Sequence, residues 1–168
     1  MIAPHASRAE ELVSRLSLAP HPEGGFYREF FRDEVRVVHP RTGKPRPAST
    51  CIFFLLPAGT FSAFHRVASA ELWHHLEGDP LELVMLDESR GTLIRVRLGK
   101  DLDAGESPQL VVPAGMWQAA LPLGEAYCLS GCTVAPGFEF ADFELAKRQD
   151  LLAQFPSERE FIERLTRA

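Results

Sequence analysis

The sequence predicts one mainly β domain, an antiparallel sandwich or barrel with short helices at its two ends. Three observations carry this. Short runs rich in β-branched, aromatic and aliphatic residues follow one another through the middle of the chain. Turn residues such as Pro-Ala-Gly, Gly-Asp-Pro and Asp-Ala-Gly-Glu separate them, and strands at such spacing pair as antiparallel neighbours. The length, 168 residues with 45% apolar, suits one domain with a real core.

The elements follow in order. Ser7 and Glu10 form a capping box ahead of the apolar stripe Ala9, Leu12, Val13 and Leu16, which predicts the first helix. His21-Pro22-Glu23-Gly24-Gly25 breaks the chain. Residues 26–31 read as a strand from their aromatic content, and 35–38 as another. A proline-rich connection covers 40–47. Strands are expected at 49–56, 60–66, 70–77, 81–86, 92–98, 109–112, 116–121 and 127–134. A short helix is expected within 141–154, and Ser157-x-x-Glu160 opens another running to about Thr166. No internal repeat, low-complexity tract or linker interrupts this. Residues 1–168 are therefore read as one domain, with a barrel over about 26–140 and helical ends at 6–16 and 142–167.

Composition excludes several classes. The formal net charge is -5 and no basic stripe is present, so nucleic acid is not the expected partner. The longest apolar run, Cys51 to Leu56, is far too short to span a bilayer. The N-terminus lacks the basic-then-apolar pattern of a secretory signal, so a cytoplasmic protein is expected. Cys128 and Cys132 would lie about 13 Å apart on a strand rising about 3.3 Å per residue, too far for a disulfide. Buried reduced thiols are expected for both and for Cys51.

The densest chemistry lies in Gly59-x5-His65-x-Val67-x3-Glu71-x6-Gly78. If Val67, Ala68 and Ser69 form a three-residue hairpin loop, His65 stands directly opposite Glu71, with Cβ atoms about 5 Å apart. The imidazole and carboxylate then share a proton, an ion or a substrate group. A structural hydrogen bond between them is the plainer alternative. A divalent metal is a lesser possibility. Its candidate ligands are His65, Glu71 and Gln118, but a catalytic site normally takes three good ligands, an amide oxygen is a weak one, and Val67 cannot ligate.

Other candidate ligand contacts follow from strand alternation. Trp73 and His75 share a face with Glu71, and Trp73 offers a stacking surface. Trp117 adds a second aromatic wall beside Gln118. Tyr27 and Glu29 share one face of their strand, opposite Arg28, whose guanidinium suits a phosphate or carboxylate. Arg28 and Glu29 line one cavity only if a bulge intervenes.

These strings together resemble the cupin_5 (DUF985) family of RmlC-like cupins, over about residues 12–165. The resemblance rests on His21-Pro-Glu-Gly-Gly-Phe-Tyr-Arg28, on Ser49-Thr50 leading into Phe53-Phe54-Leu55-Leu56, and on His65-Arg66. Further matches are Glu71-Leu-Trp-His74 with Gly78-Asp-Pro-Leu81, Val112-Pro-Ala-Gly-Met-Trp-Gln-Ala119, and Gly131-Cys-Thr-Val-Ala-Pro-Gly-Phe138 with Phe140 and Phe143. It implies a double-stranded β-helix, or jelly roll, assembled as a homodimer. Members carry the label of sugar epimerases. That chemistry would match its base to His65 and its first-strand glutamate to Glu29. Its acid, a tyrosine after the last barrel strand, has no counterpart, since the only tyrosines are Tyr27 and Tyr127.

The functional expectation is a small-molecule-binding cupin, an epimerase or isomerase of a sugar derivative or nucleotide-sugar. His65 and Glu71 would work as acid and base, with Tyr27 or Tyr127 supplying the opposing proton. The alternatives are a binding protein without turnover and a metal-dependent cupin enzyme.

Overall fold

A computed structural model describes residues 7–167 of the chain. Helix α1 (Arg8–Arg15) begins at Ser7 with the expected capping box, in which Ser7 and Glu10 each cap the other's backbone N–H. Strands β1 (Ala19–Pro20), β2 (Phe26–Arg32), β3 (Arg36–Val38), β4 (Pro45–Pro47), β5 (Thr50–Pro57), β6 (Ser62–Val67), β7 (Ala70–Gly78), β8 (Leu81–Asp87) and β9 (Thr92–Leu98) follow. The chain continues through β10 (Gln109–Val112), β11 (Trp117–Pro122), β12 (Tyr127–Ala135) and β13 (Phe143–Leu145), and closes with α2 (Arg148–Gln154) and α3 (Arg159–Arg164).

The strands form two facing antiparallel sheets. One has the order β1-β2-β5-β12-β7-β10 and the other β13-β6-β11-β8-β9, while β3 and β4 make a separate ribbon. The main core lies between the sheets, where Phe54, Leu56 and Trp73 of the first meet Leu81, Leu83 and Met85 of the second. This is a β jelly roll. Helix α1 covers part of the first sheet's outer face with Leu12 against Leu55 and Leu129. Helices α2 and α3 cover the second sheet with Leu151 and Ile162 against Phe64 and Val84. No helix among the described residues is long and apolar enough to cross a membrane. Cys128 and Cys132 are buried free thiols, and Cys51 is a half-buried one.

Four expectations are corrected. The 67–69 segment is not a hairpin loop: β6 and β7 lie in different sheets, so the chain crosses the sandwich there. His65 therefore pairs with Gln118 and Leu145, and Glu71 with Val112 and Val134. The helical end expected from 142 starts instead with the short strand β13 on the edge of β6, while the one short helix expected within 141–154 is α2. The proline-rich stretch contains β4, paired with β3 in a ribbon where prolines are tolerated. The second capping box does not form. Pro156 starts a 3₁₀ turn, Ser157 donates to Glu158, and α3 starts at Arg159 without a side-chain cap.

Candidate functional site

A cavity of about 230 Å³ opens between the two sheets near the β6–β7 crossing. Its floor is polar. His65 comes from β6 and Glu71 from β7, so the two sequence-predicted groups meet across the sandwich instead of along a hairpin. Both are buried. The carboxylate closest to His65 is Glu23, whose Oε2 lies 3.1 Å from Nε2. Glu23 belongs to the turn between β1 and β2. Gly24 in that turn has φ +117, and a Cβ there would meet the Phe61 carbonyl oxygen, so only glycine lets the turn seat so closely. The Ala63 N–H donates to the Glu23 carbonyl at 2.8 Å and fixes the turn onto β6.

The hydrogen bonds assign the tautomers. Nδ1 of His65 lies 2.8 Å from the Ala63 carbonyl, which can only accept. Nδ1 therefore carries the proton and Nε2 presents a lone pair to Glu23. Burial pushes the Glu23 carboxyl up to about 8 and holds the His65 imidazole below its ordinary value. At neutral pH a carboxylic acid and a neutral imidazole then stand 3.1 Å apart. His21 stands beside the pair, 3.7 Å from Glu23 Oε2. Its Nδ1 accepts the Glu23 backbone N–H at 3.2 Å, leaving its proton on Nε2. Burial first, then the proximity of His65, pushes its pKa down to about 4.

Glu71 is held by a relay from the core. The indole N–H of Trp73 donates to Gln118 Oε1 at 3.1 Å, and Gln118 Nε2 donates to Glu71 Oε2 at 2.5 Å. An indole can only donate, so the amide orientation of Gln118 is fixed. Burial raises the Glu71 carboxyl to about 7 despite this hydrogen bond.

The walls come from three further segments. Tyr27 and Glu29 of β2 line the cavity, as alternation requires. A β-bulge between Glu29 and Phe31 then shifts the register. It returns Arg32 to the cavity side, where it pairs with Thr50. Arg32 spans the mouth, reaching Glu29 at 2.7 Å and Glu139 at 2.8 Å and donating to the Phe138 carbonyl at 3.1 Å. Phe138, Phe140 and Phe143 form an aromatic wall, and Phe143 stacks on His65 with ring centroids 5.5 Å apart.

The remaining sequence candidates lie elsewhere. Arg28 faces out over the Phe53 ring, 5.7 Å from its centroid. Trp73 and Gln118 stand behind Glu71, not on the cavity wall. Trp117 packs on the far side of the second sheet, under the Arg66 guanidinium at 4.3 Å. His75 donates from Nε2 to the Asp79 carbonyl at 3.0 Å near the end of β7, away from the cavity. Tyr127 packs beneath α1 and gives its hydroxyl to Glu77 at 2.6 Å. Alternation set His75 on the face of Glu71 but not at its end of the strand, and the cavity occupies only one end of the sandwich; Trp117 is adjacent to Gln118 in β11 and so faces the other way.

His65, Glu71 and Gln118 do not fit a metal ion. The Gln118 oxygen is taken by Trp73, its nitrogen faces Glu71, and both nitrogens of His65 are engaged. Among the described residues no three His, Cys, Asp or Glu side chains are arranged to hold one.

The facing sheets with a polar cavity between them define a cupin barrel. The chain belongs to the Cupin_5 family of the cupin superfamily (DUF985), whose model matches residues 10–146. It is 32% identical to a hypothetical protein from Leishmania major, at a TM-score of 0.89, covering 97% of this chain and 100% of that one. It is 37% identical to protein SO0799 from Shewanella oneidensis, at a TM-score of 0.87, covering 96% and 99%. An uncharacterised Saccharomyces cerevisiae protein, YML079W, is 29% identical over 160 residues, 87% of this chain and 79% of its own. Oxalate decarboxylase from Bacillus subtilis shares the fold alone, at a TM-score of 0.54 and 18% identity over 87% of this chain and 36% of that one.

Proposed function

We propose that the cavity binds a small polar organic molecule and moves a proton on it, as an isomerase or epimerase of a carbonyl compound such as a sugar derivative. The observation that carries this is the Glu23–His65 pair, 3.1 Å apart on the cavity floor, with a pKa for Glu23 near 8. A group poised near neutral pH suits both proton uptake and release. His65 has both nitrogens engaged, so it acts through Glu23. With Glu23 Oε2 turned to the imidazole, Oε1 meets the ligand. Deprotonation at a carbon next to a carbonyl would proceed as the substrate proton passes to the ionised carboxylate and the electron pair moves onto the carbonyl oxygen. Tyr27 lines the cavity and Tyr127 lies outside it, so in this reading Tyr27 would return a proton on another face of the ligand.

Size narrows the ligand. About 230 Å³ is below the range of about 300–1,000 Å³ for drug-sized ligands. A single sugar ring suits it, and any nucleotide portion would lie beyond the mouth. The test is solvent deuterium incorporation into a panel of keto-sugars and keto-sugar nucleotides, followed by NMR. The wild-type chain is expected to exchange, and Glu23→Gln to exchange about 10²–10⁴-fold more slowly. Absence of exchange at enzyme concentrations comparable to substrate sinks the catalytic reading.

A second reading, binding without turnover, is favoured by the burial that keeps Glu23 and Glu71 largely neutral. Native mass spectrometry of protein taken from cell extract would then show a retained small molecule, and a bare mass from several hosts counts against it.

The partner we propose is a second copy of the chain, docked on the outer face of the first sheet. Phe30 is 51% exposed there and stacks on Phe53 at 4.6 Å. His74 and Leu76 flank Gly131 on the same sheet, and Leu76 is 40% exposed.

A further inference from the structure

We propose that the ligand of this cavity is a small organic cation, an amine or quaternary ammonium, held between the phenylalanine wall and the carboxyl groups of Glu23 and Glu71. This rests on the reading of the cavity as a ligand site and names the class of molecule it takes.

The first support is the charge of the lining. Four carboxyl groups face the cavity: Glu23, Glu29, Glu71 and Glu139. Among the described residues the one lysine or arginine on the wall is Arg32, and it is already engaged by Glu29, Glu139 and the Phe138 carbonyl at the mouth. An anionic ligand reaching the floor would meet two carboxyl groups and, among the described residues, no free lysine or arginine. The second support is burial without a countercharge. Glu23 and Glu71 are both more than nine-tenths buried. Their polar neighbours are neutral: His65 and the Ser62 hydroxyl for Glu23, and the Gln118 amide and the Cys132 thiol for Glu71. None of these balances a carboxylate charge, and a ligand ammonium between the two carboxyls would supply the missing positive charge.

The third support is the aromatic wall. Phe138 and Phe140 lie 5.0 Å apart, and Phe140 and Phe143 6.0 Å, with Tyr27 on His21 at 4.5 Å. Ring faces and carboxylates together attract ammonium groups, most strongly where water is excluded.

Proton linkage follows. Glu23 faces His21 and His65, and Arg167 donates to its backbone carbonyl at 3.1 Å. Glu71 faces His65, Glu23, Gln118 and Cys132. With no cation present these carboxyls keep their protons to about pH 8 and about pH 7. A bound ammonium replaces a proton. Binding therefore releases protons, and affinity rises between about pH 6 and about pH 8.5.

The test is calorimetry on the full chain with shape-matched probes of different charge. Choline is compared with neutral 3,3-dimethylbutan-1-ol and anionic 3,3-dimethylbutanoate, and glucosamine with glucose. The cations are expected to bind at least about tenfold more tightly than their neutral counterparts, and the carboxylate not at all. Titrations in buffers of different ionisation enthalpy should show proton release near neutral pH. Glu71→Gln and Phe140→Ala should each weaken choline binding by about tenfold. If either variant fails to fold, wild-type proton release still decides. Neutral or anionic probes binding as tightly as the cations overturns the proposal, as does cation uptake without proton release or no binding by any probe. The isomerase reading is judged separately, by deuterium exchange. Exchange without cation preference defeats this inference alone, and cation preference without exchange defeats only the catalysis.

Discussion

At the residue scale, the chemistry sits in a few buried groups whose protonation is set by burial. Glu23 and Glu71 hold protons more tightly folded than unfolded. Each therefore stabilises the fold fully below its ordinary value of 4.5 and loses that contribution as pH rises through about 8 and about 7. His21 works in the opposite sense: its contribution is present above its ordinary 6.5 and lost as pH falls through about 4. Above pH 6.5 only the two carboxyls, among these three, still titrate. The melting temperature is expected to fall from about pH 6.5 to about pH 8.5, and Glu23→Gln and Glu71→Gln should each flatten the profile. A second prediction concerns the relay. Trp73→Phe removes the donor that fixes Gln118, leaving a buried amide oxygen unpaired. Urea unfolding should show a loss of about 1–3 kcal/mol, and ligand binding at Glu71 should weaken with it. His65 and Glu71 were legible from their motif spacing. Glu23 was visible only as part of a string, because a turn distant in sequence brings it to His65.

At the element scale, two local features decide what the cavity contains. The Gly24 turn delivers Glu23, and Gly24→Ala would drive a Cβ into the Phe61 carbonyl at a positive φ. A cost of about 2 kcal/mol or more is expected in denaturant melts. The same substitution should slow exchange by displacing Glu23 while leaving His65 in place. The bulge in β2 is the second feature. Strict alternation puts Tyr27 and Glu29 inside and Arg32 outside, but the extra residue near Phe30 returns Arg32 to the mouth. Alternation in the sequence carries no marker of where a strand gains a residue, so Arg32 escaped it. The hairpin expected at 67–69 failed for a related reason. A short loop joins strands within one sheet or across two equally well, and only the partners of β6 and β7 distinguish them.

At the scale of the whole molecule, the two helical ends cover unequal parts of the sandwich. Helix α1 shields the Leu55, Tyr127 and Leu129 region of the first sheet, with Phe53 packed against that cluster, so Phe30 and Leu76 stay on the open face. Light scattering is expected to read two chains per particle at micromolar concentration, and Phe30→Glu with Leu76→Glu to yield single chains. A monomeric wild type removes the proposed interface. The strand boundaries were readable nearly throughout, because turn residues and alternating burial are local properties of the chain. That is why β2, β5–β12 and the capped helix α1 lie close to where the sequence puts them.

The sequence by itself determined the class of fold and singled out His65 and Glu71 as the candidate imidazole and carboxyl group. Those follow from strand periodicity, turn chemistry and motif order, all set by near neighbours. Only the tertiary structure decided that Glu23 is the proton partner of His65, that Gln118 serves Glu71 and not an ion, and that Arg32 stands at the mouth while Tyr127 lies outside. Each of those depends on which strands face one another across the sandwich, a long-range property that no local spacing encodes.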